Sequence, residues 1–187
     1  MKDIFNNTHI MLDLETLGVE ADAAIVSVGA VVFKFQDSNL RVLKTYARNI
    51  EVQNSLACGG TVSASTLLWW MGREQDKARE LFLSGTTSSL TTVLLDVARL
   101  MHNYSSQPWI WGNGTDFDNV ILASAYKRLG MSVPWQHKQN RCFRTVKELH
   151  KNTVPEPEFL GTKHNVLDDA LHQVTWLGLI ANTYYKE

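Results

Sequence analysis

Two carboxylates, Asp13 and Glu15, stand two residues apart in the segment MLDLETLG, residues 11–18. Along a strand, successive side chains point to opposite faces, so both acids share one face and Leu12 and Leu14 take the other. Two carboxylates on one face of an apolar strand repel each other and lose hydration unless a cation sits between them. Hard divalent cations take oxygen ligands, so Mg²⁺ or Mn²⁺ is the natural partner. The plainer reading is a strand end that leaves both acids in water, and a D-x-E by itself does not separate the two.

Further acids fall at element ends. GTDFDNVIL places Asp116 and Asp118 just after an apolar segment, where a helix begins. Asp is a common helix cap, so one of this pair can cap while the other binds metal. HNVLDDALHQ places His164 ahead of Asp168 and Asp169 at the start of the last helix. Acids there are also favoured simply by the helix dipole, and His164 alone reads as a loop histidine. Together these residues put acids at three separated element ends of one short chain.

The elements that must position them follow from apolar periodicity. Residues 8–14 read as a short strand, 23–35 as a buried Val- and Ile-rich strand, and 40–50 as the third strand of a meander. Residues 61–83 have helical spacing, with Ser63 or Ser65 as cap, and residues 88–104 form a second helix. WIWGNG at 109–114 is a strand ending in a glycine turn, and 117–129 a helix closed by Gly130. Residues 142–150 pass from strand into a short helix. Pro155 and Pro157 mark a loop, and a last helix runs from 164 to about 184 with Leu167, Leu171, Val174, Leu177 and Ala181 on one face. Strands followed by alternating strands and helices predict an α/β fold on a mixed sheet, with residues 1–187 as a single domain.

At 44% hydrophobic and 20% charged residues, the composition is that of an ordinary globular protein. A net charge of -1 argues against a large non-specific nucleic-acid surface but leaves room for a local groove. Lys163, Arg141, Arg144 and Lys147 either line such a path or are ordinary solvated charges. Cys58 and Cys142 fit no metal-ligand pairing, and a reduced, cytoplasmic setting is expected. The N-terminus carries no signal peptide, and no apolar run reaches membrane-spanning length.

Taken in order, D-x-E-T, then F-D after a later strand, then H-x-x-x-x-D at a late helix resemble the DEDDh, or DnaQ-like, 3′-to-5′ exonucleases of the ribonuclease H-like fold. The tryptophan-containing helix STLLWWMGREQDKARELF is similar to that of the RNase T-like and phage-type branch. The matching positions are Asp13, Glu15, Asp118, His164 and Asp169. Asp118 is preferred over Asp116 because it follows Phe117, and Asp169 over Asp168 because it lies five residues after His164. ETLG stands where many relatives have ETTG, and NGTDFD is one residue longer than in the proofreading enzymes.

The resemblance implies a five-stranded mixed sheet flanked by helices and metal-dependent hydrolysis of single-stranded RNA or DNA from the 3′ end. It implies two divalent cations held by Asp13, Glu15, Asp118 and Asp169, with His164 as general base. Thr16, Leu17, Gly18, Trp70 and Asn113 are the expected substrate contacts, and a homodimer is expected. Leu17 reads equally as a wedge against the last base or as core. Of the adjacent Trp69 and Trp70, one is expected in the core and the other can stack on a base, with core or dimer contact the favoured reading for both. Trp109 and Trp111 read as core. The alternatives are a non-catalytic nucleic-acid-binding module and a phosphodiesterase for small or cyclic nucleotides.

Overall fold

The structure is a computed structural model that describes residues 7–36, 39–72 and 75–184. Three antiparallel strands open the chain: β1 (His9–Thr16), β2 (Ile25–Gln36) and β3 (Asn39–Ile50). Helices α1 (Val52–Ala57), α2 (Ala64–Trp70) and α3 (Asp76–Ser84) lead to a two-residue strand, β4 (Thr87–Ser88). Next come α4 (Leu90–Tyr104), β5 (Trp109–Gly112) and α5 (Asp118–Arg128). After these come β6 (Asn140–Cys142), α6 (Phe143–His150) and α7 (Val166–Tyr184). The sheet order is β4-β3-β2-β1-β5-β6. β5 and β6 run parallel to β1, and β4 runs parallel to β3.

The predicted five-stranded sheet therefore gains a sixth strand. β4 pairs through Thr87 and Ser88 alone, too short to leave a periodic signature. It takes Ser88 from the predicted helix, so α4 starts later, with the Ser89 hydroxyl capping the Thr92 N–H. The helix predicted over 61–83 is two helices. Ser63 caps α2, α2 ends at Trp70, and the predicted span crosses residues 73–74, which lie outside the described residues.

Two apolar layers cover the sheet. Ile10, Leu12, Val28 and Val32 pack under α4 and α5, with Val93, Leu94, Ile121 and Leu122. Met11, Val31 and Phe33 face α7 and α6, with Val174, Leu177, Ile180 and Phe143. The alternation along β1 thus sends Leu12 and Leu14 to one layer and leaves Asp13 and Glu15 on the side of α7. His9, at the buried start of β1, stacks on Phe33 with ring centroids 5.1 Å apart and accepts from the Trp111 indole N–H at 3.0 Å. Trp111 is core as expected. Trp109 is only partly buried, and the Arg141 guanidinium lies 3.8 Å over its ring.

α7 begins two residues later than predicted. His164 has a left-handed backbone (φ 63°), and the Asn165 side chain accepts from the Leu167 and Asp168 N–H groups to cap the helix. The start of α7 lies directly on β2. A Cβ on Gly29 would fall 2.2 Å from the Val166 carbonyl oxygen. Gly29 is the cross-strand partner of Asp13, so this contact sets the distance between the first acidic strand and the helix that carries Asp169. Gly29→Ala is expected to cost about 1–3 kcal/mol, a drop of roughly 3–10 °C in Tm for a chain of this size. It should also reduce activity, whereas an alanine at exposed Gly130, which meets nothing within 4 Å but is strained by its left-handed backbone (φ 67°), should cost stability alone. Thermal melts and an activity assay on the two variants check this.

Candidate active site

Asp13 and Glu15 project from β1 beside a β-bulge between Glu15 and Thr16 that ends the regular ladder. β1 and β5 pair only from His9 to Met11, after which the strands part. Asp118, the first residue of α5, fills the fork. Its Oδ1 accepts from the Leu14 N–H at 3.1 Å and its Oδ2 from the Asn113 N–H at 2.9 Å. Gly112 makes this approach possible, because a Cβ there would lie 2.4 Å from Asn119 Oδ1 and 2.9 Å from Asp118 Oδ2. One carboxylate thereby ties together β1, the end of β5 and the start of α5.

Asp169 comes from the opposite layer, on the first turn of α7. Ligand atoms of Glu15, Asp169 and His164 all lie within 4.8 Å of one another. The two candidate pairs of aspartates are placed differently. Asp118 is buried in the cluster while Asp116 is exposed. Asp168 turns away and accepts from the Thr162 N–H at 2.8 Å, while Asp169 lines the cavity. The cavity has a volume of about 450 Å³ and is lined by Asp13, Glu15, Asp118, His164 and Asp169.

Burial raises all four acids, and repulsion within the cluster adds to this at Asp13 and Glu15. Burial raises the Asp13 carboxyl well above its ordinary value, and the charges of Asp118, Glu15 and Asp169 add to the effect. Glu15 is pushed up to about 9 by burial and then by Asp169 and Asp118. Asp118 reaches about 7 through burial, held down by the N–H groups of Asn113 and Leu14. Asp169 is raised as well, mainly by burial. Its Oδ2 is buried without a hydrogen-bond partner. Four carboxylates with a histidine beside them, one carboxylate oxygen being orphaned, form a donor set that suits a divalent cation.

The remaining expected contacts are distributed as follows. Thr16 lies beside the cavity and donates to the Gly18 carbonyl at 2.6 Å. Gly18 and Asn113 also line it, and the Asn113 Oδ1 is buried without a partner. Leu17 points inward and packs with Ala24, Val26, Trp70 and Ala78, so its core reading describes its position. Trp70 is buried, its indole N–H donating to the Thr16 carbonyl at 2.9 Å. Trp69 is the exposed member of the pair, and its ring meets His164 edge-on at 4.8 Å. Arg144 reaches the cavity, and Lys147 lies over the Phe143 and Trp176 rings. Gln173, which no sequence signal marked, donates from Nε2 to Asp13 Oδ1 at 2.8 Å.

The model of the 3′-5′ exoribonuclease Rv2179c-like domain matches residues 8–181. The chain belongs to this family. The family defines the chemical class, a nuclease that shortens its substrate from the 3′ end. No curated protein matches the sequence significantly. Among solved structures, the fold is similar to the nuclease domain of 3′hExo, a DEDDh family member bound to rAMP. That match has a TM-score of 0.58 and 13% identity, over 92% of this chain and 90% of that one. A 3′-exonuclease described as giving 3′-end specific recognition of a histone mRNA stem-loop matches with a TM-score of 0.55 and 12% identity, over 92% and 80%. Cell-death related nuclease 4 (CRN-4) matches with a TM-score of 0.53 and 11% identity. The alignment covers 95% of this chain but 64% of CRN-4, just under two thirds of its length.

The raised acids make the metal-free protein sensitive to pH in a definite direction. A carboxyl whose value is higher folded than unfolded holds more protons in the native state, so stability falls as pH rises through that interval. For Glu15 the interval runs from 4.5 to about 9, and for Asp118 from 3.8 to about 7. In EDTA, the Tm of the wild type should fall between pH 5 and pH 9. Asp13→Asn, which removes one of the charges, should fall less and melt higher at pH 8. A divalent cation should flatten the wild-type curve. Equal slopes for the two proteins in EDTA would contradict this electrostatic account.

Proposed function

We propose that this chain releases nucleoside 5′-monophosphates one at a time from the 3′ end of single-stranded RNA, with two divalent cations, Mg²⁺ or Mn²⁺, held by Asp13, Glu15, Asp118 and Asp169. The convergence of four carboxylates and His164 on one cavity carries the reading. Their order in the chain is that of the DEDDh exonucleases. The preference for RNA over DNA is supported by the family's description as exoribonucleases and by the rAMP bound to the 3′hExo nuclease domain.

The chemistry that bound cations would supply here is activation of water and stabilisation of the leaving oxygen. Asp13, on the central strand and close enough to feel the charges of the other three acids, would hold the cations together with them. Asp118 enters already oriented by two backbone N–H groups. His164 takes the proton of the attacking water, a role suited to an imidazole near neutral pH. It stands just ahead of the Asn165 cap, outside the regular turns of α7.

The terminal nucleotide lies over Thr16 and Gly18, where the chain after the D-x-E lines the cavity. Trp69 offers its exposed ring to a base while Trp70 and Leu17 form the support beneath. Arg144 meets phosphate at the rim. A homodimer is proposed from the likeness to RNase T-type enzymes alone. A reducing, cytoplasmic setting suits Cys58 and Cys142, which are unpaired. Among the described residues no helix is long and apolar enough to cross a membrane.

The test is a gel assay on 5′-labelled RNA and DNA of one sequence, with Mg²⁺, Mn²⁺ or EDTA. A metal-dependent ladder that shortens from the 3′ end, faster on RNA, is expected. Asp13→Ala should abolish it in a folded protein, and His164→Ala should slow it by about 10²–10⁴-fold. Intact oligomers under every condition would overturn the reading and point to a small nucleotide substrate or a binding module.

A further inference from the structure

Gln173 sits on α7 one turn after Asp169, so both side chains lie on the same helix face. Its neighbours Ala170, Val174 and Leu177 are buried and apolar. Gln173 is 5% exposed, in a position where a buried amide is costly unless both its ends are used. One end is used, since Nε2 donates to Asp13 Oδ1 at 2.8 Å, a contact between residues 160 apart in sequence. The other end, Oε1, is buried with no partner, and the side chain lines the acidic cavity. An apolar residue of the same length would fill the space without leaving an acceptor unpaired. The amide therefore fits a state in which the cavity holds something that can donate to Oε1.

We propose that Gln173 is a positioning residue for the metal centre. Its Nε2 fixes the rotamer of Asp13 by occupying one carboxylate oxygen, and its Oε1 accepts from water carried in by a hydrated divalent cation. This inference rests on the function proposed above and adds to it a residue outside the four acids and the histidine. Hydrogen-bond partners that orient a metal ligand are typically worth about 10–100-fold in metal affinity or activity. An amide can do this without adding a fifth ionisable acid to a site that already holds four carboxyl groups.

The test compares wild type with Gln173→Met, which keeps the length of the side chain and removes both hydrogen-bonding ends. Mn²⁺ binding is measured by calorimetry on each protein, with Tm in EDTA as the check on folding. Weaker Mn²⁺ binding by about 10–100-fold is expected, with a Tm in EDTA equal to or above that of wild type. In the nuclease assay the metal concentration for half-maximal rate should rise while KM for RNA stays unchanged. Equal Mn²⁺ affinity in the two proteins would overturn the inference and leave the proposed function standing. Wild type that takes up no Mn²⁺ would overturn both. Should Gln173→Met fail to fold, the side-chain amide resonance of Gln173 in ¹⁵N-labelled wild type decides. It should shift on Mg²⁺ titration with the midpoint of metal binding, and an amide that stays in place overturns the inference.

Discussion

Repulsion among four carboxylates in one cavity is the constraint on which the rest of this structure depends. Brought together by folding, Asp13, Glu15, Asp118 and Asp169 oppose the fold until their charge is neutralised by protons or by cations. Burial contributes most to this opposition, because it removes the water that would otherwise screen them. A protein holds such a cluster only on elements that cannot relax away from one another. Here those elements are the central strand of a six-stranded sheet and the first turns of two helices packed on its opposite faces.

The fold supplies that rigidity through a few close contacts. Gly29 lets the start of α7 rest on β2, opposite Asp13. Gly112 lets α5 approach the end of β5, so that Asp118 takes up the N–H groups left unpaired where β1 and β5 separate. The Trp70 indole clamps the Thr16 carbonyl just past the bulge. Together these contacts fix the starts of α7 and α5 and the end of α2 around the acidic strand. His164 differs from the acids. It occupies a left-handed backbone position just ahead of α7, its ring edge-on to an exposed tryptophan.

Much of this was legible in the sequence because it rests on periodicity and order. β1 announced itself by alternation, and β2 by its apolar run. Phe117-Asp118 and the five-residue step from His164 to Asp169 were readable as motif spacing, and the structure places the same two aspartates in the cavity. What escaped depends on contacts between segments distant in the chain. β4 is two residues long and exists because β3 lies beside it. The span read as one helix over 61–83 gave no sign of the turn after Trp70. Which tryptophan of the pair faces solvent depends on α2 packing against Thr16, not on local sequence. Gln173 looked like any polar residue of an amphipathic helix until Asp13 was found opposite it.

The central claim is that these acids are gathered to hold two divalent cations. It is tested most directly by calorimetric Mn²⁺ titration of the metal-free protein at one pH in two buffers of different ionisation enthalpy. The account predicts two Mn²⁺ per chain, with proton release that shows as a buffer-dependent heat, because cations displace the protons that Glu15 and its neighbours retain near neutrality. Absence of binding, or binding with no buffer dependence, would contradict it.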